Sequence, residues 1–203
     1  MYFEFLGRKL PVYGCIGVAG FFLGMIYILL YCLIRKKKFD NSLYLYVFAT
    51  LGAMVGAKLL SIIQNIPELI NDLSNPDISF GQILKAYLSG GFVFYGGLIG
   101  AVIAYFLAAK FFEYDPYEYL PAIAPALPLM HGISRIGCYL VGCCYGAPTT
   151  SHICVVYTDS VYAPNGVPMV PVQLFEVILE LSIFVMMIIL SAFPRNYRKL
   201  LAQ

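Results

Sequence analysis

Tryptophan is absent from this chain, and charge is scarce. Of 203 residues, 12% are Asp, Glu, Lys or Arg, about half the fraction of an ordinary soluble domain. Hydrophobic residues make up 61%, and the mean hydropathy is +0.80. A soluble protein with one oversized core is excluded by the long uncharged runs described below. The net charge of +2 and the lack of a basic stripe interleaved with aromatics argue against a nucleic-acid partner. Without Trp, any aromatic belt at the membrane interface must use the 17 Tyr and 15 Phe. No internal repeat, linker or low-complexity segment interrupts the chain, which reads as a single integral membrane domain over 1–203. No cleavable signal peptide is expected, because the first apolar run is too long for one, lacks a small-residue cleavage site and leads into a basic stop.

What remains is a polytopic, all-α membrane protein with about five transmembrane helices, near 11–34, 41–66, 91–109, 120–145 and 172–193. The run from Pro11 to Ile34 carries no charge and ends in Arg35, Lys36, Lys37 and Lys38. Such a basic cluster marks the cytoplasmic side, so the N-terminus is expected outside and the C-terminus in the cytoplasm. Lys110 and the group Arg195, Arg198 and Lys199 fall on the same inner side. Gly52 and Gly56 give the second helix a small-xxx-small face suited to close packing. Residues 67–90 are expected to form an outer loop with one or two short amphipathic helices. Pro121, Pro125 and Pro128 should kink the first half of the fourth span. A short hairpin fits residues 146–172.

Chemistry concentrates in HGISRIGCYLVGCCYG, His131 to Gly146. An ionisable group in hydrocarbon is costly and marks a functional site by default. Arg135 stays charged and grips phosphate or carboxylate in a fork, and a phospholipid headgroup is the natural anion in a membrane. Its alternative partners are Glu176 and Glu180, four apart on one helix face, which together with Lys58 would make a structural ion-pair set. Lys58 fits a snorkelling position as well as a site. Cys138, Cys143 and Cys144 are open to several roles: reactive thiols beside a cation, a disulfide on an oxidising face, or small packing residues beside Gly137 and Gly142. A metal role lacks the usual C-x2-C spacing, so no metal and no cofactor are expected. His131 lies one turn before Arg135. Tyr95, flanked by Gly96 and Gly97, offers a phenol, a weak base at neutral pH.

The His131–Gly146 segment resembles the signature of prolipoprotein diacylglyceryl transferase, H-G-x-G-R-x-G-N-F-x-N-x-E-x-x-G. Tyr13-Gly14 is similar to that family's early YG, and Gly56 to Lys58 to its GAR. GGFVFYGGLIG resembles GG-x-S-F-H-G-G-L-I-G, and Pro171 to Glu176 resembles P-S-Q-L-Y-E. The resemblance implies a bacterial inner-membrane enzyme that moves a diacylglyceryl group from phosphatidylglycerol, or a related anionic phospholipid, to the lipobox Cys of a prelipoprotein at the outer leaflet. It implies that Arg135 holds the lipid phosphate while Tyr13, Gln173 and Glu176 line the cavity. Lys58, Gly96, Gly97, Gly137 and Gly146 join the substrate-binding set, and Arg135, Tyr95, His131, Cys138 and Cys143 form the catalytic one. The sequence departs from the pattern at Tyr95, where the motif has His, and at Cys138, Val141 and Cys143, where the signature has Asn, Asn and Glu. Typical members also continue through a further helix bearing another functional Arg. The chain is thus expected to be a divergent, Cys-rich relative. A non-catalytic lipid-binding module, or a Cys-based redox or metal module on the same fold, is the alternative.

Overall fold

The computed structural model describes residues 2–5, 8–75, 78–89 and 91–192. Pro194 and the basic residues Arg195, Arg198 and Lys199 lie outside them. The elements are a terminal hairpin, β1 (Tyr2–Phe5) and β2 (Arg8–Pro11), followed by α1 (Val12–Arg35), α2 (Phe39–Gln64), α3 (Ile66–Ser74), α4 (Phe80–Ser89), α5 (Phe94–Phe111), α6 (Pro116–Ile123) and α7 (Ala126–Val141). A second hairpin, β3 (Val155–Val156) with β4 (Pro168–Met169), precedes α8 (Val172–Ala192). The all-α membrane class follows from composition: α1, α2, α5 and α8 are long and apolar enough to cross a bilayer. Two amphipathic helices, α3 and α4, occupy the expected outer loop, and β3–β4 is the expected hairpin. The β1–β2 hairpin precedes the first expected span.

The fourth expected span is broken. Pro125 stands between α6 and α7 with φ −68° and ψ −25°, and Pro lacks the N–H that a continuous helix would use there. The remaining 16 residues of α7 rise only about 24 Å at 1.5 Å per residue, short of the roughly 30 Å hydrocarbon thickness. Such breaks are tolerated where the backbone faces protein rather than lipid.

The chain divides into two compact units, residues 1–37 with 121–203, and residues 38–120. In the second unit α2 and α5 pack antiparallel along a glycine seam. A Cβ on Gly56 would collide with the Gly96 carbonyl, one on Gly100 with the Gly52 carbonyl, and one on Gly52 with Ala104. Association of helices in lipid depends on such close packing, since lipid is as apolar as the side chains. The far end is held by Asn41, whose Nδ2 donates to Tyr119 Oη at 2.8 Å.

In the first unit α1, α7 and α8 pack together. Gly20 lets α1 approach the Met130 carbonyl of α7, 3.0 Å from where its Cβ would stand. Tyr27 meets Phe184 edge-on, with ring centroids 5.1 Å apart. Arg35 Nη2 donates to the Ser191 carbonyl at 2.9 Å, a cation against the last described turn of α8. This contact sets the C-terminal ends of α1 and α8 side by side, matching the expected shared direction of the first and last spans.

The seam makes a direct prediction. Gly56→Val should lower stability by about 1–3 kcal/mol or more, the range for overpacking a close contact. Gly81→Ala, where nothing lies within 4 Å, should leave it unchanged. Thermal unfolding of both variants in one detergent compares them.

Candidate functional site in the first unit

Two acidic residues of α8 stand opposite two basic residues of α7. His131 Nδ1 lies 2.8 Å from Glu180 Oε1, and Arg135 Nε lies 2.9 Å from Glu176 Oε2. Spacing of four on each helix puts each pair of side chains on one face, and antiparallel packing aligns them as two rungs. Gly132 makes the approach possible, since a Cβ there would meet Glu180 Cβ at 3.2 Å. The sequence offered Glu176 or Glu180 to Arg135 and Lys58. The structure gives Glu176 to Arg135 and Glu180 to His131, and stacks Lys58 Nζ 5.1 Å from the centre of the Phe92 ring in the other unit.

The Arg135 rung is not a closed fork. Nη2 donates to Glu176 Oε1 at 3.3 Å. Nε and Oε2 are sealed from solvent and close, yet lack the alignment of a hydrogen bond. The guanidinium is therefore charge-matched without all its donors being used. The Glu176 side chain is 41% exposed against 18% for Arg135, so the pair is open on the carboxylate side.

Two turns further, α7 ends in a left-handed residue. Gly142 has φ 75° and ψ 22°. Its N–H donates to the Tyr139 carbonyl at 3.3 Å and the Cys143 N–H to the Cys138 carbonyl at 3.1 Å, the paired bonds of a Schellman turn. That turn folds residue 143 back onto residue 138. Cys144 follows with φ 54°, a conformation costing a non-glycine residue about 1–3 kcal/mol and met most often at functional sites. The thiols of Cys138, Cys143 and Cys144 lie within 4.8 Å of one another, from buried Cys138 to exposed Cys144. The C-x4-C-C spacing, unlike the usual metal-site spacing, is brought into a cluster by this turn.

Surrounding residues hold the turn. Gln173 is fully buried; its Nε2 donates to the Cys143 carbonyl at 2.8 Å and reaches Tyr157 Oη at 3.4 Å. Burial raises the Tyr157 phenol above its ordinary pKa, which keeps it neutral. Ser160 Oγ donates to the Val141 carbonyl at 2.9 Å and fills the space a Gly142 side chain would need. Tyr13 of α1 lies over Gly137, whose Cβ would be 3.3 Å from the Tyr13 ring, with its hydroxyl in reach of Ser134. Gly146 sits under Val170 and Val172. Tyr13, His131, Arg135, Gly137, Cys138, Cys143, Gly146, Gln173 and Glu176 thus share the first unit. Lys58, Tyr95, Gly96 and Gly97 belong to the second, where Tyr95 is 70% exposed and Gly96 is a member of the glycine seam. Ser134, Ser160 and Tyr157 were missed from sequence. The Gly142-Cys143 pair after an apolar helix was the available signal for the turn.

Fold and site together define a multi-pass helical membrane protein with a paired arginine and a thiol cluster at one helix end. The family description "Prolipoprotein diacylglyceryl transferase" matches residues 1–202, and the chain belongs to that family. It is 34% identical over 178 residues to the phosphatidylglycerol–prolipoprotein diacylglyceryl transferase of Clostridium tetani, covering 88% of this chain and 68% of the relative. It is 31% identical over 180 residues to the second such enzyme of Clostridium perfringens, covering 89% and 67%. A Dehalococcoides mccartyi relative of the same name is 38% identical over 101 residues, 49% of this chain and 39% of its own.

Gly142→Ala should cost about 1–2 kcal/mol for the left-handed backbone alone, with displacement of Ser160 added. Unfolding should shift down, and Cys143 should be alkylated faster by a small maleimide. Gly17→Ala, with open space around the new Cβ, should do neither.

Proposed function

We propose that this chain transfers a diacylglyceryl group from phosphatidylglycerol to the lipobox Cys thiol of a prelipoprotein, in the outer leaflet of a bacterial inner membrane. The names of its relatives support donor and acceptor. The observation that carries the reading is Arg135: a guanidinium in a membrane protein, charge-matched by Glu176, which is the more exposed of the two and can be exchanged for another anion. An anionic phosphate has the shape to use the guanidinium donors. In the reaction the acceptor thiol loses its proton to solvent, its sulfur attacks the glycerol carbon, the C–S bond forms, and the C–O bond to phosphate breaks. Glycerol phosphate leaves, and Arg135 stabilises the charge that develops on the departing oxygens. Tyr13 frames the headgroup, Gln173 supports the turn beside it through the Cys143 carbonyl, and Glu176 keeps the arginine in place between turnovers.

The purified protein, incubated with phosphatidylglycerol and a lipobox peptide, should give a peptide heavier by one diacylglyceryl group in a mass spectrum. Arg135→Ala should lower the rate on the order of a hundredfold, as for loss of one transition-state donor. Arg135→Lys, which keeps the charge but loses the fork, should fall in between. An unmodified peptide beside a folded wild-type protein would overturn the reading.

Orientation has its own test. In intact spheroplasts a membrane-impermeant maleimide should label Cys154, which is exposed in the loop before α8, in a variant retaining that cysteine alone. A Cys introduced by Lys37→Cys should label only after permeabilisation. The reverse pattern would place the site on the cytoplasmic face.

A further inference from the structure

Displacement by sulfur requires a thiolate, because the thiol itself is a poor nucleophile. Each candidate base on α7 and α8 is already paired. His131 is engaged by Glu180 at 2.8 Å, and Glu176 is engaged by Arg135. What stands at the end of α7 instead is three sulfurs within 4.8 Å of one another, graded from buried to exposed. They are held there by the turn at Gly142, by Gln173 on the Cys143 carbonyl and by Ser160 on the Val141 carbonyl.

We propose that Cys138, Cys143 and Cys144 form a three-thiolate site for a thiophilic divalent cation of the zinc type, whose fourth position receives the acceptor thiol. Zinc–sulfur bonds of about 2.3 Å set the sulfurs of a tetrahedral site roughly 3.8 Å apart. The cluster therefore needs to contract by no more than about an ångström, within the reach of a side-chain rotation. Three protein ligands and one open position are the pattern of catalytic rather than structural zinc. Three thiolates and a dication leave one net negative charge, and the Arg135 guanidinium lies close enough to Cys138 to offset it. Exposure of Cys144 leaves the open position facing outward.

The step balances. The incoming thiol gives its proton to solvent on binding the metal, since a coordinating thiol is deprotonated outright. Its sulfur then displaces glycerol phosphate from the lipid, and the thioether product, a weaker ligand, leaves the metal. No electrons are exchanged, and no further reactant is needed.

The metal half of this proposal stands by itself, while the acceptor half rests on the transferase reading above. The full chain, purified in detergent without chelator, should carry a single equivalent of zinc by plasma mass spectrometry. Replacement by cobalt(II) should produce thiolate-to-cobalt charge-transfer absorption. Cys138→Ser and Cys143→Ser should weaken metal binding at least about tenfold, the low end of what even outer-shell changes cost. Cys144→Ser, at the exposed position, serves as the variant least disruptive to folding and should shift the cobalt spectrum. Absence of stoichiometric zinc together with absence of cobalt charge transfer would overturn the site, as would a Cys138–Cys143 disulfide in protein extracted with thiols blocked. For the acceptor half, a lipobox peptide should perturb the cobalt spectrum and a Cys→Ser peptide should not. Chelation should abolish diacylglyceryl transfer, and zinc should restore it. Metal binding with transfer unaffected by chelation would overturn the acceptor role and leave the transferase reading intact. Metal binding and a peptide-dependent spectrum with no transfer under any condition would sink the transferase reading and leave the site standing.

Discussion

A charge inside a membrane protein has to be matched, and the first unit depends on how Arg135 is matched. Its partner Glu176 sits on α8, and the neighbouring rung, His131 with Glu180, repeats the arrangement one helical turn away. Two rungs fix both the facing and the register of α7 against α8, because a slide by one residue would separate both pairs at once. The attraction is strong in a low-dielectric surround, yet desolvation of both ions works against it. Register specificity, rather than net stability, is the firmer consequence of the ladder. Breaking one rung leaves an uncompensated charge in the least favourable place, which is why such residues carry positional information out of proportion to their number.

The same ladder holds the arginine ready for an anion without committing all its donors. A fully closed fork would make the phosphate compete with an ideal pair, and a bare arginine would not stay in place without one. The observed geometry lies between, with one hydrogen bond at 3.3 Å and one close but misaligned approach. Exchange of a carboxylate for a phosphate on such a group needs only a small rearrangement on the open side, where Glu176 is the more exposed partner.

Much of the fold could be read from sequence because lipid imposes long apolar helices and a charge asymmetry that composition displays directly. The spans starting near 11, 41, 91 and 172 became α1, α2, α5 and α8, within a few residues at each end. The Gly52–Gly56 face became half of a helix seam. The fourth span was legible as kinked but not as two helices, because Pro121, Pro125 and Pro128 say where a bond is missing, not how far the chain turns. In the site, Arg135 could be singled out because charge is rare, and its two candidate partners could be named. Which glutamate it takes could not, since their spacing of four lets either face α7 until the register is set. Gly96 illustrates another limit: a glycine beside a candidate site residue looks the same in sequence whether it admits a ligand or another backbone, and here it faces Gly56.

The cysteines show the limit most sharply. Metal-site spacing rules describe hairpin-like turns, where two residues separate the ligands. A Schellman turn closes a different interval, returning residue 143 to residue 138 with four residues between. Spacing alone therefore argued against a cluster that the backbone builds. The device needs a left-handed residue at 142, which glycine adopts without strain, and it puts Cys144 in a conformation that its own side chain disfavours. Strain at that position is sustained by the burial of Gln173 and the Ser160 bond around it. A turn held this firmly, ending in three sulfurs beside a cation, has more fixed geometry than packing of small side chains requires. That excess of order turns attention from the thiols as filler to the thiols as ligands.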